Sequence, residues 1–263
     1  MGLFDFLKKK QTQPAEGKSK ILLSMPLFKN GDCYQLKSVI DHLKTFWGAT
    51  VTDLSGDDGS ASFYINGEMV GLAYMAVPVP WGDIQGTAQY AYNWMTAEEE
   101  LKDHTGHAIV SVMAGEKSPL ERFRILSMLL YSVVLTSNSV GIYQGGESLL
   151  IQRELYLKVA EDLKQDEIPV PAWIYIGLRK TENRNSAYTY GLTNFRKQEI
   201  EVLNSNMEFE ELHDLLSNIA SYVIKSDITF KNGETLGYTQ EQKIRITSSK
   251  GKFVDGQTFK LEI

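Results

Sequence analysis

His104 and His107 stand three apart, the spacing at which two imidazoles on one helical turn can share a metal ion. Gly106 lies between them and a strand begins at His107. No Cys or acidic cluster completes a ligand set, so both read as structural. His42 and His213 fall in separate helical patterns. Cys33 is the single cysteine, which excludes an internal disulfide and a multi-cysteine metal site. It opens a helical pattern, where a thiol pKa can fall, but nothing ties a histidine base to it, and it too reads as structural. The stretch 141–146, GIYQGG, has neither the phosphate-loop lysine nor the GxGxxG spacing. It reads as a strand-to-helix turn whose glycines serve backbone angles. GxSxG is absent. Glu98-Glu99-Glu100 and Glu208, Glu210 and Glu211 lie in helical patterns, where carboxylates form solvated faces and complement the start of a helix.

The stretch with most to offer a partner begins at Pro78-Val79-Pro80-Trp81. Asp83 follows, then Tyr90, Tyr92 and Trp94, then the three glutamates. Aromatic rings with polar tips suit a cleft or a partner surface, and they are also ordinary core. As a partner-binding face this stretch contributes Trp81, Asp83, Tyr90, Trp94, Glu98, Glu99 and Glu100. No catalytic residue, metal ligand or cofactor is assigned.

Charge points the same way. The 263-residue chain carries a net −6. Residues 1–20 hold +3, residues 21–138 hold −6 and residues 139–263 hold −3. An acidic body argues against nucleic acid and favours a basic protein partner. No run approaches the roughly 20 apolar residues of a membrane helix. The expected location is cytoplasmic.

These residues must be positioned by an α+β frame. Residues 1–20 read as a flexible basic tail, MGLFDFLKKK with a polar linker after it. Leu3, Phe4 and Leu7 give the tail one apolar face. The most apolar helical pattern is 118–138, in which Leu120, Phe123, Leu126, Leu130, Val133 and Val134 recur at helical spacing. Ser118, Pro119 and Glu121 mark its start as a capping box with proline at the first helical position. Before it, residues 21–117 read as strand, helix, strand, strand, helix, strand. In this reading Pro26 suits a strand edge or end, Gly56–Gly59 interrupts one strand, and one helix runs from Asp83 to Lys102. After it, residues 139–263 repeat the order, with a helix over Leu155–Leu163 and one strand over Tyr188–Leu203 bent near Asn194. The expected fold is two ferredoxin-like (βαββαβ) halves joined by a buried central helix.

The succession PVPWGDIQG, HAIVSVMAG, SPLERFRIL, VGIYQGG, VPAWIYIGLR and NGETLGYTQEQKIRI resembles a family of bacterial proteins that carries a C-terminal domain of unknown function, here about Asn185–Ile263. The family has no established catalytic residues to carry over. Similar proteins are associated with toxin and secretion gene neighbourhoods, which implies an immunity role. The expected function is therefore a non-catalytic protein-binding protein, in its specific form an immunity protein that neutralises a toxin through an acidic surface. The alternatives are an enzyme or small-ligand or haem binder with a pocket between the two halves, and a structural part of a larger assembly.

Overall fold

The computed structural model describes residues 20–113, 115–181, 183–237 and 243–263. The apolar N-terminal tail, expected at 1–20, lies outside them except for Lys20. The chain is α+β and divides into two compact units between Gln165 and Asp166.

The first unit runs β1 (Leu22–Phe28), α1 (Leu36–Phe46), β2 (Val51–Gly56), β3 (Ser60–Ile65), β4 (Glu68–Met75), α2 (Trp81–Ala88), α3 (Ala97–Leu101) and β5 (Gly106–Val112). It continues with α4 (Pro119–Leu135), β6 (Gly141–Gln144), β7 (Leu149–Gln152), α5 (Arg153–Tyr156) and α6 (Val159–Lys164). Its sheet has the order β2-β3-β4-β5-β1-β6-β7. Each neighbouring pair is antiparallel. The two ferredoxin-like halves are not confirmed by this order. Residues 56–59 turn a hairpin instead of interrupting a strand, and β6 and β7 extend the first sheet beside β1. Asp57 shapes that hairpin by accepting from Gly59 N at 2.9 Å, and Asp58 accepts from Leu36 N at 2.6 Å, capping α1 from a distant turn.

Pro26 is placed against expectation. It lies in β1, which is flanked on both sides by strands. The Phe28 carbonyl faces the β5 side and the Leu27 carbonyl the β6 side. By alternation Pro26 also faces β5, and the pairing with β5 lapses between Ser24 and Leu27. The missing N–H is thus confined to one gap in one ladder.

Helix α4 starts with the expected capping box, Ser118 Oγ accepting from Glu121 N and Glu121 from Ser118 N. It packs on β1, β5 and α1. Its one buried charge, Arg122, is 1% exposed and meets Glu68 Oε1 at 2.8 Å. The remaining guanidinium donors reach the carbonyls of Lys20, Val112 and Met113. A Cβ on Gly115 would sit 2.1 Å from a Glu68 carboxylate oxygen, so only glycine fits beside the pair. Where α4 meets α1, His42 Nδ1 lies 2.9 Å from Ser132 Oγ, and Phe46 stacks on Tyr131 with ring centroids 5.6 Å apart. Lys164 of α6 covers the Phe46 ring at 3.8 Å.

The second unit contains α7 (Val170–Trp173), β8 (Tyr175–Thr181), β9 (Arg184–Tyr190), β10 (Ile200–Ser205), α8 (Phe209–Lys225), β11 (Thr235–Gly237), β12 (Lys243–Lys250) and β13 (Gln257–Glu262). Its sheet has the order β11-β12-β13-β10-β9-β8, with β10 and β13 parallel. The stretch expected as one bent strand is two strands, β9 and β10, joined through a 3-10 turn at Leu192–Phe195. The cause is Glu199. Its buried carboxylate accepts from Thr189 Oγ1 at 2.7 Å, Gly191 N at 2.8 Å and Thr193 N at 3.2 Å, gathering the turn around itself. Two residues on, the fully buried Glu201 accepts from Phe253 N at 2.8 Å and Lys252 N at 3.0 Å, and meets Lys260 Nζ at 2.8 Å. That carboxylate shapes the β12–β13 connection.

The two glutamates titrate in opposite directions. Burial pushes Glu199 up, and its hydrogen bonds from Thr189 and Gly191 only reduce the effect. Burial also pushes on Glu201, but Lys260 and the Phe253 and Lys252 N–H groups outweigh it and hold the carboxyl below the usual range. A group lowered by folding stabilises the fold above its unfolded pKa, and that stability is lost as pH falls through the folded value. A group raised by folding contributes below its unfolded pKa, and loses that contribution as pH rises through the folded value. Glu201→Gln is therefore expected to flatten the acid limb of the second unit's stability, read from urea unfolding across a pH series. In the first unit, Arg122→Met leaves Glu68 buried without its partner. A loss of about 3–5 kcal/mol is expected in urea unfolding followed by far-UV circular dichroism.

Candidate functional site

The expected helix from Asp83 to Lys102 is two short helices, α2 and α3, with consecutive turns between them. Gly86 and Asn93 weaken a continuous helix in this run. Burial of Trp94 supplies the competing pull. Trp94 is 3% exposed and packs with Met25, Leu27, Val79, Ile84, Ala97, Leu101, Tyr143 and Leu150. A Cβ on Gly141 would lie 2.6 Å from the Trp94 ring. The first glycine of GIYQGG thus makes room for an indole, and none of the three has a positive φ, contrary to the backbone-angle expectation.

The seven residues of the expected partner face separate into two groups. Trp94 is core. Asp83 is half-buried in the first turn of α2. Burial, then the Asp83 charge, push the Tyr143 hydroxyl up to about 12, against a hydrogen bond with Thr87. Asp83 is thus directed at the core beneath its helix. Trp81, Tyr90, Glu98, Glu99 and Glu100 are exposed. Tyr92 is exposed beside them in sequence, and Met95 is 86% exposed. Gln85 Nε2 of α2 reaches Glu98 Oε2 at 3.4 Å, joining the two short helices. The Thr96 hydroxyl and the Trp94 indole hold the Glu100 carboxyl below the usual carboxylate range. The segment is thus rooted by Trp94, Ala97 and Leu101 and presents carboxylates and large apolar groups outward.

His104 and His107 support this segment from below. His104 Nδ1 donates to Leu101 O at 2.7 Å at the end of α3, and His107 Nδ1 donates to Val77 O at 2.8 Å ahead of α2. Burial, joined by His104, keeps the His107 imidazole below its ordinary pKa against the pull of the Val77 bond. Among the described residues no three His, Cys, Asp or Glu side chains come together to hold a metal ion. Cys33 is exposed. Among the described residues no helix is long and apolar enough to cross a membrane.

Residues 188–262 match a domain of unknown function, DUF4261. A C-terminal domain of unknown function is thus present, close to the limits its resemblance implied. No curated protein matches the chain, and no solved structure does. The DUF4261 region covers the end of β9, the Glu199 turn, β10, α8 and the β11–β13 strands. Both buried glutamates fall inside it. Their positions in the QEIE run carry a sequence signal, since two acids alternate with Ile200 along a strand, but the burial of that face depends on partners far along the chain.

Gly141→Val is expected to displace the Trp94 indole and cost about 1–3 kcal/mol, the usual penalty of overpacking. Urea unfolding measures the loss, and near-UV circular dichroism should report the changed tryptophan environment.

Proposed function

We propose that the protein is a non-catalytic protein-binding protein whose α2–α3 segment covers a basic surface of its partner. In its specific form it is an immunity protein that neutralises a cognate toxin. The observation that carries the reading is the outward display of Glu98, Glu99 and Glu100 with Trp81, Tyr90, Tyr92 and Met95 from a segment whose Trp94 is locked in the core. Clustered carboxylates steer a basic partner and raise its association rate. Exposed tryptophan and tyrosine side chains are the residue types that most often carry binding energy once covered. Anchoring by Trp94 reduces the ordering cost at the moment of association. The toxin-linked resemblance supports the specific form.

The test is a titration of a purified basic toxin candidate against an unrelated protein of equal positive charge. Tight binding of the candidate alone is expected, with an association rate that falls as salt rises. The triple change Glu98→Lys, Glu99→Lys, Glu100→Lys should slow association by about tenfold or more at low salt. Trp81→Ala should act mainly on dissociation, at a cost of about 1–2 kcal/mol. Equal binding of both proteins, or an unchanged rate in the triple variant, would reject the reading.

A further inference from the structure

The DUF4261 region has a groove of its own. A groove of about 580 Å³ is lined by Glu211, Asp214, Asn218 and Tyr222 of α8, with Leu236 of β11 opposite. Leu215 and Ile219, both buried, contribute its apolar floor. Tyr222 is exposed. Glu211 uses one carboxylate oxygen to accept from Glu208 N at 2.9 Å, and Asp214 Oδ1 lies 3.4 Å from His213 Nδ1. Both carboxylates lie along the α8 wall of the groove.

The other wall is a sheet edge. β11 is the terminal strand of its sheet and pairs with β12 on one side. Glu234 O accepts from Ile246 N at 2.8 Å, so the residues in phase with Glu234, Leu236 among them, direct their backbone at β12. Thr235 and Gly237 direct theirs away from it. Among the described residues no strand pairs with that side. The side chains sort in the same way. Leu236 is opposite the buried Ile244, whereas Lys243 and Arg245 are opposite Gly237 and Thr235 and belong to the other face of the ribbon. The groove side is thus apolar and acidic, and the nearby cations lie on the reverse.

We propose that this groove binds an extended peptide segment that adds a strand to β11 and carries a basic side chain towards Glu211 and Asp214. An unpaired strand edge supplies main-chain donors and acceptors to an incoming strand, and the adjoining pockets read alternate side chains. The apolar floor at Leu215 and Ile219 takes an aliphatic residue. The exposed Tyr222 ring, about two turns along α8 from Asp214, offers another lysine or arginine of the segment a cation–π surface. The occupant is a partner segment of alternating basic and β-branched residues. An acidic segment is repelled, and a proline-rich one lacks the donors.

The test uses the full-length protein and a fluorescent peptide, Lys-Val-Lys-Val-Lys-Val, followed by anisotropy at low and moderate salt. Saturable binding is expected, with no binding of Glu-Val-Glu-Val-Glu-Val. A copy of the basic peptide N-methylated at alternate residues keeps its charge and loses main-chain donors, and should bind at least about tenfold more weakly. Thr235→Pro removes an outward N–H and leaves the ladder to β12 intact, and Tyr222→Ala alters an exposed side chain. Each should weaken binding while the urea unfolding midpoint is kept. The triple lysine change at Glu98, Glu99 and Glu100 should leave binding unchanged, which separates this site from the proposed α2–α3 face. The proposal is overturned if the N-methylated peptide binds as well as its parent, or if Tyr222→Ala and Thr235→Pro bind like the wild type. Loss of binding in the triple variant also overturns it. So does a dimer dissolved by Thr235→Pro, which would make the occupant of this edge a second copy of the chain.

Discussion

The ion pair between Arg122 and Glu68 is the constraint on which the first unit depends. Removing both charges from water costs several kcal/mol for each ion, and the pair alone does not return that. The structure offsets the cost by using the rest of the guanidinium. Its donors reach carbonyls at Lys20, at the entry to β1, and at Val112 and Met113, at the exit from β5. One side chain of α4 thereby fixes the ends of adjacent strands and, through Glu68, the start of β4. The planar fork of arginine can serve several acceptors at once, and the point charge of lysine cannot do so in the same geometry. Once α4 is held in this way, its apolar side covers β1 and β5. Its remaining surface receives α1 through the His42–Ser132 and Phe46–Tyr131 contacts.

The second unit applies the same logic with the sign of charge reversed. Glu199, just ahead of β10, and Glu201 on it serve different loops. Each satisfies backbone N–H groups that a tight turn would otherwise leave without acceptors. Glu199 does this at the expense of a desolvated carboxylate, whereas Glu201 gains the Lys260 ammonium. The polar burial of the DUF4261 region thus goes largely into the shape of its connections. The resulting ribbon, β11–β13, ends in a strand with one side open, and α8 stands across the groove from it.

Local patterns were legible where one element contained its own explanation. The start of α4 could be read from Ser118, Pro119 and Glu121 because a capping box is complete within one turn. The Asn66-Gly67 hairpin could be read because both residues take positive φ, as a two-residue turn between β3 and β4 requires. The amphipathic spacing of α8 was equally clear. Legibility ended where distant partners decide the outcome. Pro26 looked like an edge residue, yet its missing donor is absorbed by a gap in the pairing with β5. Asp58 looked like part of an interruption and is the cap of α1. Arg122 is almost wholly buried, and nothing in its own helix shows that Glu68 is its partner. Trp94 was grouped with the outward aromatics, and nothing near it in sequence reveals that Gly141, far along the chain, leaves a space for its ring.

Trp94 also changes the meaning of the acidic stretch around it. α3 is five residues long, far below the length at which a helix holds itself together in water. Its three consecutive glutamates repel one another, and they lie in its first turn, where the helix dipole returns part of that energy. Such a helix persists because Trp94, Ala97 and Leu101 are buried beneath it, and because His104 accommodates its final turn. Burial and display thus fall to different residues of one short segment. The inward residues fix the backbone, and the outward ones add the Gln85–Glu98 and Thr96–Glu100 contacts at the surface. A solvated acidic face on a long amphipathic helix needs no such division, because its own hydrogen bonds and apolar stripe support it. Here the fold devotes a tryptophan, a facing glycine and two buried histidines to holding a like-charged turn at the surface. That is the physical ground on which α2–α3 is proposed as a recognition surface.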